Sequence, residues 1–414
     1  MSNTQTKNVP ELRFPGFEGE WEEKKLEDIG TLKNGINKDK ESFGYGFPFV
    51  NLNDVFNSKE IQIKNLSLIN STYKEREEYN LQKGDTLFIR SSVKPSGVGL
   101  TKVIEIDLKN VVFSGFLIRF RNNNLAVNFK KFIFNSISVR KQILSLSSTS
   151  ANTNINQESL KKVKIPIPCM DEQQKIGRFF SKLDRQIELE EQKLELIQQQ
   201  KKGYMQKIFS QELRFKDENG KDYPNWEEKQ LGEVADRVIR KNKNLESKKP
   251  LTISGQLGLI DQTEYFSKSV SSKNLGNYTL IKNGEFAYNK SYSNGYPLGA
   301  IKRLTRYESG LLSSLYICFS IKSEMSKDFM EAYFDSTHWY REVSGIAVEG
   351  ARNHGLLNIS VNDFFNILTK YPSLEEQQKI GSFFSKFDRQ IELEQKKIEL
   401  LQQRKKDLLK SVFI

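Results

Sequence analysis

The sequence predicts an α+β protein. We expect two mixed α/β domains, related by a pseudo-twofold axis and separated by two long helices that form an antiparallel coiled coil. Two observations support this: a long helical stretch occurs twice, and a segment with strand-like patterning precedes each copy. The first copy runs from Asp171 to about Phe209, and the second begins at Glu375 and aligns with the first without a gap. A duplication on this scale sets the architecture, because each copy marks one structural unit.

Each copy has the heptad pattern of a coiled coil, with apolar residues at alternating steps of four and three. Two charged residues interrupt each seam, and no proline falls inside either helix. Pro166, Pro168 and Pro372 lie just before the helices, where proline is typical of a helix start. The predicted seam of the first helix is Ile176, Phe180, Leu183, Ile187, Glu190, Leu194, Ile197, Lys201, Tyr204 and Ile208, and that of the second is Ile380, Phe384, Phe387, Ile391, Glu394, Ile398, Leu401, Lys405, Leu408 and Val412.

The charged seam residues favour antiparallel packing. In a parallel pair in register, Glu190 would face Glu394, which is strongly disfavoured in a buried layer. Lys201 would face Lys405 in the same way. An antiparallel pair has one register that joins Glu190 to Lys405. The same register joins Lys201 to Glu394, so we expect this arrangement; the alternative, in which each helix is buried in its own domain, stays open.

Composition limits the classes of function. The chain has 414 residues, which suggests two or three domains. Its net charge of +12 suits an anionic partner, although on composition alone a merely soluble basic protein is about as plausible. Cys169 and Cys318 are far apart, so neither a zinc site nor a disulfide framework is indicated. His338 and His354 are the only histidines. The N-terminus is polar and no apolar run approaches the ~20 residues of a membrane span, so we expect a cytoplasmic chain.

Two shorter motifs are also duplicated. The sequence ELRF occurs at 11–14 and again at 212–215, directly after the first helix. A WEEK motif occurs at 21–24 and again at 226–229. The repeated unit is therefore ELRF, WEEK, a domain and a long helix. We expect the end of the second helix to lie near the N-terminus, as a circular arrangement requires.

These repeats give the expected boundaries: an N-terminal tail (1–16), a first domain (17–166), the first helix (167–210), a polar linker (211–222), a second domain (223–370) and the second helix (371–414). In the first domain, patterning predicts strands at 47–52 and 110–120 and, at 81–89, a turn that leads into a strand. It also predicts a helix from 128 to about 146, a loop at 147–155 and a closing strand at 162–166. The second domain has the same order but shares few residues. Such a scaffold suits a protein that binds two different things in the same way.

The paired EQQKI…FF…D..I helices, each preceded by an I-P-x-P or Y-P segment, resemble those of the specificity subunits of type I restriction–modification systems. The resemblance covers essentially the whole chain; the second helix departs from it, because Tyr371-Pro-Ser-Leu374 lacks the double proline. It implies a non-catalytic subunit in bacterial defence, with two target recognition domains that each read one half of a split double-stranded DNA site. The helices would set the spacer and dock two modification subunits. A helix of roughly 38 residues is ~57 Å long at 1.5 Å per residue, which is longer than one DNA turn of ~34 Å.

Candidate DNA contacts are the polar and basic loop residues, since base edges are read by Arg, Lys, Asn, Gln, Ser and Thr, and phosphates mainly by Lys and Arg. The resemblance does not fix these positions. For a single residue, an ordinary solvated turn is about as plausible as contact. The candidates are Lys33, Asn34, Asn37, Lys38, Arg90, Ser91, Ser92, Lys94, Thr149, Ser150 and Asn152 in the first domain, and Arg237, Arg240, Lys241, Lys243, Asn289, Lys290, Ser291, Tyr292, Asn294, Arg352, Asn353 and His354 in the second.

Catalytic motifs are absent from the sequence. It contains neither the Asn-Pro-Pro-Tyr nor the Asp-Pro-Pro-Tyr segment of amino methyltransferases, and no G-x-x-x-x-G-K-[ST] phosphate loop. We therefore expect no cofactor or metal in this chain. The resemblance implies that S-adenosylmethionine, ATP and Mg²⁺ are bound by partner subunits. These partners would be the modification subunits and the restriction (translocase) subunits. Two other classes remain: a protein-binding scaffold on a coiled-coil spacer, and an enzyme fused to a recognition domain, which the missing motifs disfavour.

Overall fold

The two halves of the chain build units with the same order of elements. The computed structural model describes residues 8–56, 61–149, 152–255, 257–266, 275–292, 295–349 and 357–413. It divides into unit 1, which comprises Met1–Glu191 and Lys396–Ile414, and unit 2, which comprises Gln192–Gln395. Both divisions fall inside a long helix, so each unit contains one sheet-bearing domain and a segment of both helices.

Unit 1 consists of short strands and helices followed by a long helix. Short 3-10 turns lie at Lys40–Ser42, Ile63–Asn65 and Pro95–Gly97. The elements are β1 (Glu22–Lys25), α1 (Leu26–Ile29), β2 (Thr31–Asn34), β3 (Phe43–Val50), α2 (Leu52–Phe56), β4 (Ser67–Ile69), α3 (Tyr73–Glu78), β5 (Thr86–Ile89), β6 (Ser91–Ser92), β7 (Thr101–Val103), β8 (Val112–Phe113), β9 (Leu117–Arg121), α4 (Val127–Ile133), α5 (Ile137–Ser145), β10 (Ser148–Thr149), β11 (Thr153–Asn154), α6 (Gln157–Lys161), β12 (Lys164–Ile167) and the long helix α7 (Met170–Phe209).

Unit 2 follows the same plan and leads into the second long helix. A 3-10 turn lies at Leu275–Asn277. The elements are β13 (Glu227–Gln230), α8 (Leu231–Val234), β14 (Ala235–Arg237), β15 (Leu251–Ser254), β16 (Gly258–Asp261), α9 (Gln262–Tyr265), β17 (Thr279–Lys282), β18 (Phe286–Asn289), β19 (Ala300–Arg303), β20 (Ser309–Leu312), β21 (Tyr316–Ile321), α10 (Lys327–Asp335), α11 (Tyr340–Ile346), β22 (Val348–Glu349), β23 (Leu357–Asn358), α12 (Val361–Phe365), β24 (Leu368–Tyr371) and α13 (Leu374–Val412).

A four-stranded antiparallel sheet forms the frame of each unit. Its strand order is β2-β9-β5-β7 in unit 1 and β14-β21-β18-β19 in unit 2. The central strand β5 is buried along its whole length. The duplicated WEEK segments form β1 and β13, which pair with the closing strands β12 and β24 just before each long helix. This pairing explains why the motif is repeated: it places the start of each domain beside its end.

Three predicted elements differ from the observed ones. The predicted strand at 110–120 is interrupted, because residues 114–116 turn between β8 and β9. The predicted helix from 128 to 146 is two helices, because Ser136 begins a new helix and its Oγ accepts a hydrogen bond from Val139 N. The predicted loop at 147–155 contains the short strands β10 and β11. Apolar patterning continued through the first two breaks, so it could not reveal them.

The long helices are antiparallel, as predicted, and the ends of both enter the core of each unit. In unit 1, the ring centroid of Phe180 lies 6.0 Å from that of Phe413. In unit 2, Phe209 stacks on Phe384, also at 6.0 Å. This excludes the alternative in which each helix is buried in its own domain. The predicted seam residues from 176 to 201 and from 391 to 408 are all buried or half-buried, whereas Tyr204 is exposed and Met205 is buried in its place.

The predicted register of the helices is wrong. Glu190 pairs with Lys397 at 2.6 Å rather than with Lys405, and Lys405 pairs with Asp184. Compared with the predicted register, the helices are displaced by about one heptad. The predicted register pairs the charged seam residues only with one another. In the structure, each charged seam residue pairs instead with a charged residue that is adjacent in sequence to a seam residue of the facing helix.

The same displacement holds in unit 2, where Lys201 was expected to face Glu394. There Glu394 pairs with Lys193, and Lys201 pairs with Asp388 at 2.5 Å. These are the duplicated counterparts of the unit 1 pairs, so each unit contains the same two cross-helix ion pairs. The pseudo-twofold relation between the units stays a prediction.

Each long helix begins with a buried glutamate that an arginine of the ELRF motif neutralises. Arg13 donates to both carboxylate oxygens of Glu172, each at 2.8 Å, and Arg214 donates to those of Glu376 at 3.1 and 2.6 Å. Both glutamates are 0% exposed. A buried carboxylate needs such a partner, and the bidentate geometry also fixes direction. The segments predicted as a tail and a linker therefore carry structural residues.

The glutamine that follows each buried glutamate fastens the domain to the helix. Gln173 Oε1 accepts a hydrogen bond from the backbone N–H of Ala126, just before α4, and its Nε2 donates to the carbonyl of Pro168. Gln377 makes the same two bonds, with Ser326 N and Pro372 O. One turn later, a glycine in each long helix allows a domain helix to lie close: Gly177 of α7 lies against α4, and Gly381 of α13 lies against α10. A Cβ at either glycine would come within 2.8 Å of the neighbouring helix.

The end of α13 lies beside the N-terminal segment, as the circular arrangement requires. Leu12 N donates to Ser411 O at 2.9 Å, and the Trp21 ring packs edge-on against Phe413 at 6.4 Å. This prediction is confirmed within unit 1.

The observed register can be tested by exchanging charges at Glu190 and Lys397. We expect Lys397→Glu to lower the free energy of unfolding by about 1 kcal/mol, because it places like charges together in a partly exposed pair. Adding Glu190→Lys should restore most of that loss, as measured in a double-mutant cycle by chemical denaturation. As a control, Lys405→Glu combined with Glu190→Lys should show no recovery; equal recovery there would reinstate the predicted register.

Unit 1 contains a buried lysine whose loss of a proton should affect stability. Lys130 is 1% exposed, and burial lowers its pKa to about 8. Its Nζ donates to the carbonyl oxygens of Gly84 at 2.8 Å and Asn122 at 2.5 Å. Phe129 and Phe329 occupy equivalent positions beside Gly177 and Gly381, so the counterpart of Lys130 in unit 2 is the next residue, a buried methionine.

We expect the free energy of unfolding of the wild-type chain to rise relative to that of Lys130→Met between pH ~8 and ~10. In the unfolded chain the lysine has a pKa of ~10.4 and keeps its proton through this window, whereas the folded chain loses it. Stability rises with pH wherever the unfolded state binds more protons. The measurement is chemical denaturation of both proteins at matched pH. Parallel pH profiles would show that the folded lysine does not titrate in this window.

Candidate nucleic-acid interface

Two of the predicted contact loops in the first domain meet around the turn at residues 114–116. Asn37 lies against Gly115, where an added Cβ would come within 1.8 Å of the Asn37 side-chain oxygen. Arg90 N donates to Phe116 O at 2.9 Å, and the Arg90 guanidinium donates to the Gly115 carbonyl at 3.5 Å. The turn that interrupts the predicted strand therefore joins the loop at 33–38 to the loop at 90–96.

The third predicted loop joins them through a small three-stranded sheet of order β10-β11-β6. Ser91 and Ser92 lie in β6 and pair with β11, and Thr149 lies in β10 on the other side of β11. Asn152 follows in the connecting turn, where its carbonyl accepts a hydrogen bond from the Asn154 side chain at 2.9 Å. Segments far apart in sequence thus form one polar surface.

The basic residues of this surface differ in how they are held. Lys33 and Lys38 form ion pairs with α3, at 2.7 Å to Glu78 and 2.6 Å to Glu75. The hydrogen bond from Lys38 is the main reason that the pKa of Glu75 lies below its usual value. Arg90 and Lys94 form no ion pair within the described part of the chain. Arg90 and Lys94 are therefore better placed than Lys33 and Lys38 to bind an external anion. Asn34 lies in β2, opposite Ile118 of β9.

Unit 2 brings together the corresponding segments. Asn289 ends β18, the counterpart of β5, and its Oδ1 accepts a hydrogen bond from Ser291 N at 3.1 Å. Lys290 O accepts from Leu357 N at 3.0 Å, and Lys290 Nζ donates to Ile359 O at 3.3 Å. The segment at 289–292 thus lies beside β23, as the segment at 90–92 lies beside β11. Tyr292 is 61% exposed.

The basic segment at 237–243 is partly structural. Arg240 forms an ion pair with Glu285 at 3.1 Å and also donates to the carbonyl of Leu280. Lys241 donates to the Asn277 carbonyl at 3.0 Å. The sequence could not reveal these partners, since they lie on a strand and turns distant in the chain. Arg237 and Lys243 are exposed, so they are the residues of this segment best able to meet a phosphate.

Five predicted residues lie outside the described part of the chain: Ser150, Asn294, Arg352, Asn353 and His354. They stay predictions. Among the described residues, no group of three or more His, Cys, Asp or Glu side chains is placed to hold a metal ion. No helix in those residues combines the length and apolar character that crossing a membrane requires.

Sequence reasoning missed two exposed apolar residues on these surfaces. Phe116 is 61% exposed at the turn beside Arg90, and Leu315 is 54% exposed at the corresponding turn before β21 in unit 2. Phe116 lies inside the predicted strand at 110–120. The preceding Ser-Gly dipeptide is a turn signal that could have separated it. An exposed apolar side chain among polar loops can meet a thymine methyl group or a base face.

Comparison with known proteins agrees with this architecture. A family model described as the type I restriction modification DNA specificity domain matches residues 18–199. The chain is 23% identical to the type I restriction enzyme MjaVIII specificity subunit of Methanocaldococcus jannaschii, over 97% of this chain and 93% of that protein. Residues 18–199 thus match the type I specificity domain, and nearly the whole chain is similar to a type I specificity subunit.

Two further comparisons bear on the extent of the likeness and on the fold of this chain. It is 26% identical to the putative MjaX specificity subunit of M. jannaschii, over 51% of this chain and about half (52%) of that one. The crystal structure of a type I S subunit from M. genitalium has a TM-score of 0.59 at 17% identity, covering 98% of this chain and 99% of that one. The second match establishes likeness of fold along nearly the whole chain. The matched family model describes a DNA specificity domain, not a catalytic one.

Proposed function

We propose that this chain is the DNA-reading subunit of a type I restriction–modification complex, and that each recognition domain reads one half of a split duplex site. Residues 17–166 and 223–370 would be the two recognition domains. The observation that carries the proposal is the pair of polar surfaces around Arg90 and Lys290. They stand at equivalent places on the same sheet frame but carry different side chains. One frame with two different surfaces suits two different half-sites.

Arg90, Lys94 and Asn37 would contact the first half-site, with Phe116 as an apolar contact. Asn289, Ser291 and Tyr292 would contact the second. The ion-paired Lys33 and Lys38 would have a smaller role, because releasing them from Glu78 and Glu75 costs the interactions they already have. The net charge of +12 would favour binding to any duplex, so sequence preference must come from these polar and apolar groups.

The two long helices would set the spacer between half-sites and dock the modification subunits. Each unit carries a pair of exposed leucines on this helix pair: Leu189 with Leu400 in unit 1, and Leu196 with Leu393 in unit 2. All four are at least 48% exposed. Apolar side chains outside the seam of a charged helix pair are suited to contact a partner. S-adenosylmethionine, ATP and Mg²⁺ would be bound by the modification and restriction subunits.

The DNA-reading role can be tested with Arg90→Ala in the assembled complex. Once methylation mapping has defined the target, we expect binding to the intact site to weaken by about 1–3 kcal/mol, the usual worth of a specific base contact. Binding to duplexes with a scrambled first half-site should be nearly unchanged. The measurement is equilibrium binding at several salt concentrations.

Lys33→Ala is the matched control, since that lysine lies on the same surface but is ion-paired, and its effect should be smaller. Equal loss by Arg90→Ala on all duplexes would instead assign Arg90 to phosphate contact. An assembled complex that lacks any sequence preference would contradict the proposed function itself.

The docking role can be tested with the double variant Leu189→Glu, Leu400→Glu. Removing two leucines from a contact and placing carboxylates there should weaken association with the modification subunit at least ~10-fold, since each buried leucine contributes about 1.5–3 kcal/mol. Association is measured by titration calorimetry of the purified subunits. Leu245→Glu, at a loop leucine that is 56% exposed, is the control. Unchanged affinity of the double variant would exclude this leucine pair from the interface.

A further inference from the structure

The second domain is fastened to the helix pair by a chain of charged side chains that spans three elements. Lys201 of α7 contacts Asp335 at the end of α10 at 3.3 Å, as well as Asp388 of α13. Asp335 in turn contacts Lys302 of the sheet strand β19 at 2.6 Å. One carboxylate therefore joins a helix of the coiled coil to the edge strand of the recognition sheet, and all these groups lie within unit 2.

The Asp335 carboxylate is charged in this setting. Burial alone would raise its pKa, but Lys302 and Lys201 outweigh that effect and hold the pKa below its usual value. Asp335 in turn raises the pKa of Lys302 against the opposing effect of burial. The side chains of Lys201, Lys302 and Asp335 are 12, 16 and 21% exposed, so solvent and salt screen these contacts only in part.

Neighbouring charges on α10 reinforce the link to the edge strand. Arg303, the next residue of β19, pairs with Asp328 at 2.6 Å and Glu331 at 3.2 Å. However, neither carboxylate has an ion pair with a long helix in the described residues. Asp335 is thus the residue through which this charged cluster reaches α7.

The equivalent position in unit 1 carries no charge. Counting along α4 from Phe129, the counterpart of Phe329, places Asn135 where unit 2 has Asp335. Asn135 is exposed, and its side chain donates to Thr101 Oγ1 at 2.8 Å within the sheet edge. Lys405, the counterpart of Lys201, pairs with Asp184 and lies 5.8 Å from the centroid of the Phe132 ring. The first domain is therefore joined by a cation–π contact where the second is joined by an ionic link.

We propose that Asp335 is a positioning residue for the second recognition domain: it holds the domain at a fixed place on the helix pair and thereby sharpens discrimination among DNA spacers. This rests on the proposed function. A domain held rigidly on its helices accepts its half-site at one distance, whereas a loosened joint tolerates a site displaced by a base pair. Asp335 need not touch DNA for this effect.

The test uses the complex of this chain with its modification subunit and duplexes with the native spacer or with one base pair added or removed. We expect Asp335→Asn to reduce the affinity ratio between native and altered spacers at least ~10-fold, as for the loss of a partly buried charge-assisted hydrogen bond. Affinity for the native spacer should change less than ~3-fold. The preference for the correct bases of the second half-site should persist, a result that general loss of structure would not give.

Three variants complete the design. Asp335→Glu should retain the spacer preference, and Asn135→Ala, at the equivalent position in unit 1, should leave it unchanged. Lys302→Met removes the sheet-side partner while Asp335 keeps Lys201, so it should also relax the preference; it decides the outcome if Asp335→Asn does not fold.

Two outcomes overturn the proposal: a native spacer preference in both Asp335→Asn and Lys302→Met, or a preference lost equally in Asn135→Ala. Absence of half-site preference in the wild-type complex would instead refute the proposed function.

Discussion

The buried glutamate at the start of each long helix is the interaction on which the rest of the structure depends. Glu172 and Glu376 are 0% exposed, and a carboxylate cannot be buried at that depth without a cation. Arg13 and Arg214 supply it from the ELRF segments. Each pair fixes where a helix begins and which segment covers its first turn. Because the neighbouring glutamine binds the residue just before α4 or α10, the same site also determines how the domain lies on the helix.

The duplicated residues lie at this joint and along the long helices, and the divergent residues lie in the two domains. Gly177 and Gly381 must stay small because another helix backbone passes within van der Waals distance. Gln173 and Gln377 each satisfy a backbone donor and a backbone acceptor at once. No comparable constraint acts on an exposed loop, where side chains are free to differ. Buried polar contacts therefore account for the repeated residues at the joint, whereas the repeat also includes exposed helix residues such as Arg185 and Arg389.

Much of the architecture could be predicted from the sequence because it depends on periodicity. The heptad pattern identified both helices and the buried face of each, and the repeated motifs showed that the end of α13 lies near the N-terminal segment. Breaks within apolar runs could not be predicted in this way. A strand that turns at Ser114–Phe116 and a helix that restarts at Ser136 keep the same apolar composition on both sides. The Ser114-Gly115 dipeptide is a turn signal for the first break, but apolar periodicity shows neither break.

The candidate surface was predictable only in its parts. Composition selected Arg90 and Asn37 as polar loop residues, but their proximity depends on hydrogen bonds to the turn at 114–116. Similarly, the sequence gives no sign that Arg240 is occupied by Glu285, because the two residues meet only when β14, β18 and β21 form a sheet. Ion pairs between residues distant in sequence decide which basic residues remain able to bind an external anion, and composition does not predict those pairs.

The antiparallel arrangement of the helices follows from their duplication. Two copies of one helix aligned in parallel and in register bring identical residues together, so every charged layer opposes like charges. Reversing one copy brings different residues together, and each favourable pair then occurs twice. Glu190 with Lys397 is matched by Glu394 with Lys193, and Lys405 with Asp184 is matched by Lys201 with Asp388. A duplicated helix with charged seam positions is thus stable beside its copy only in the reversed direction. The register is set by the charges that flank the seam, since these are the partners that the seam charges reach.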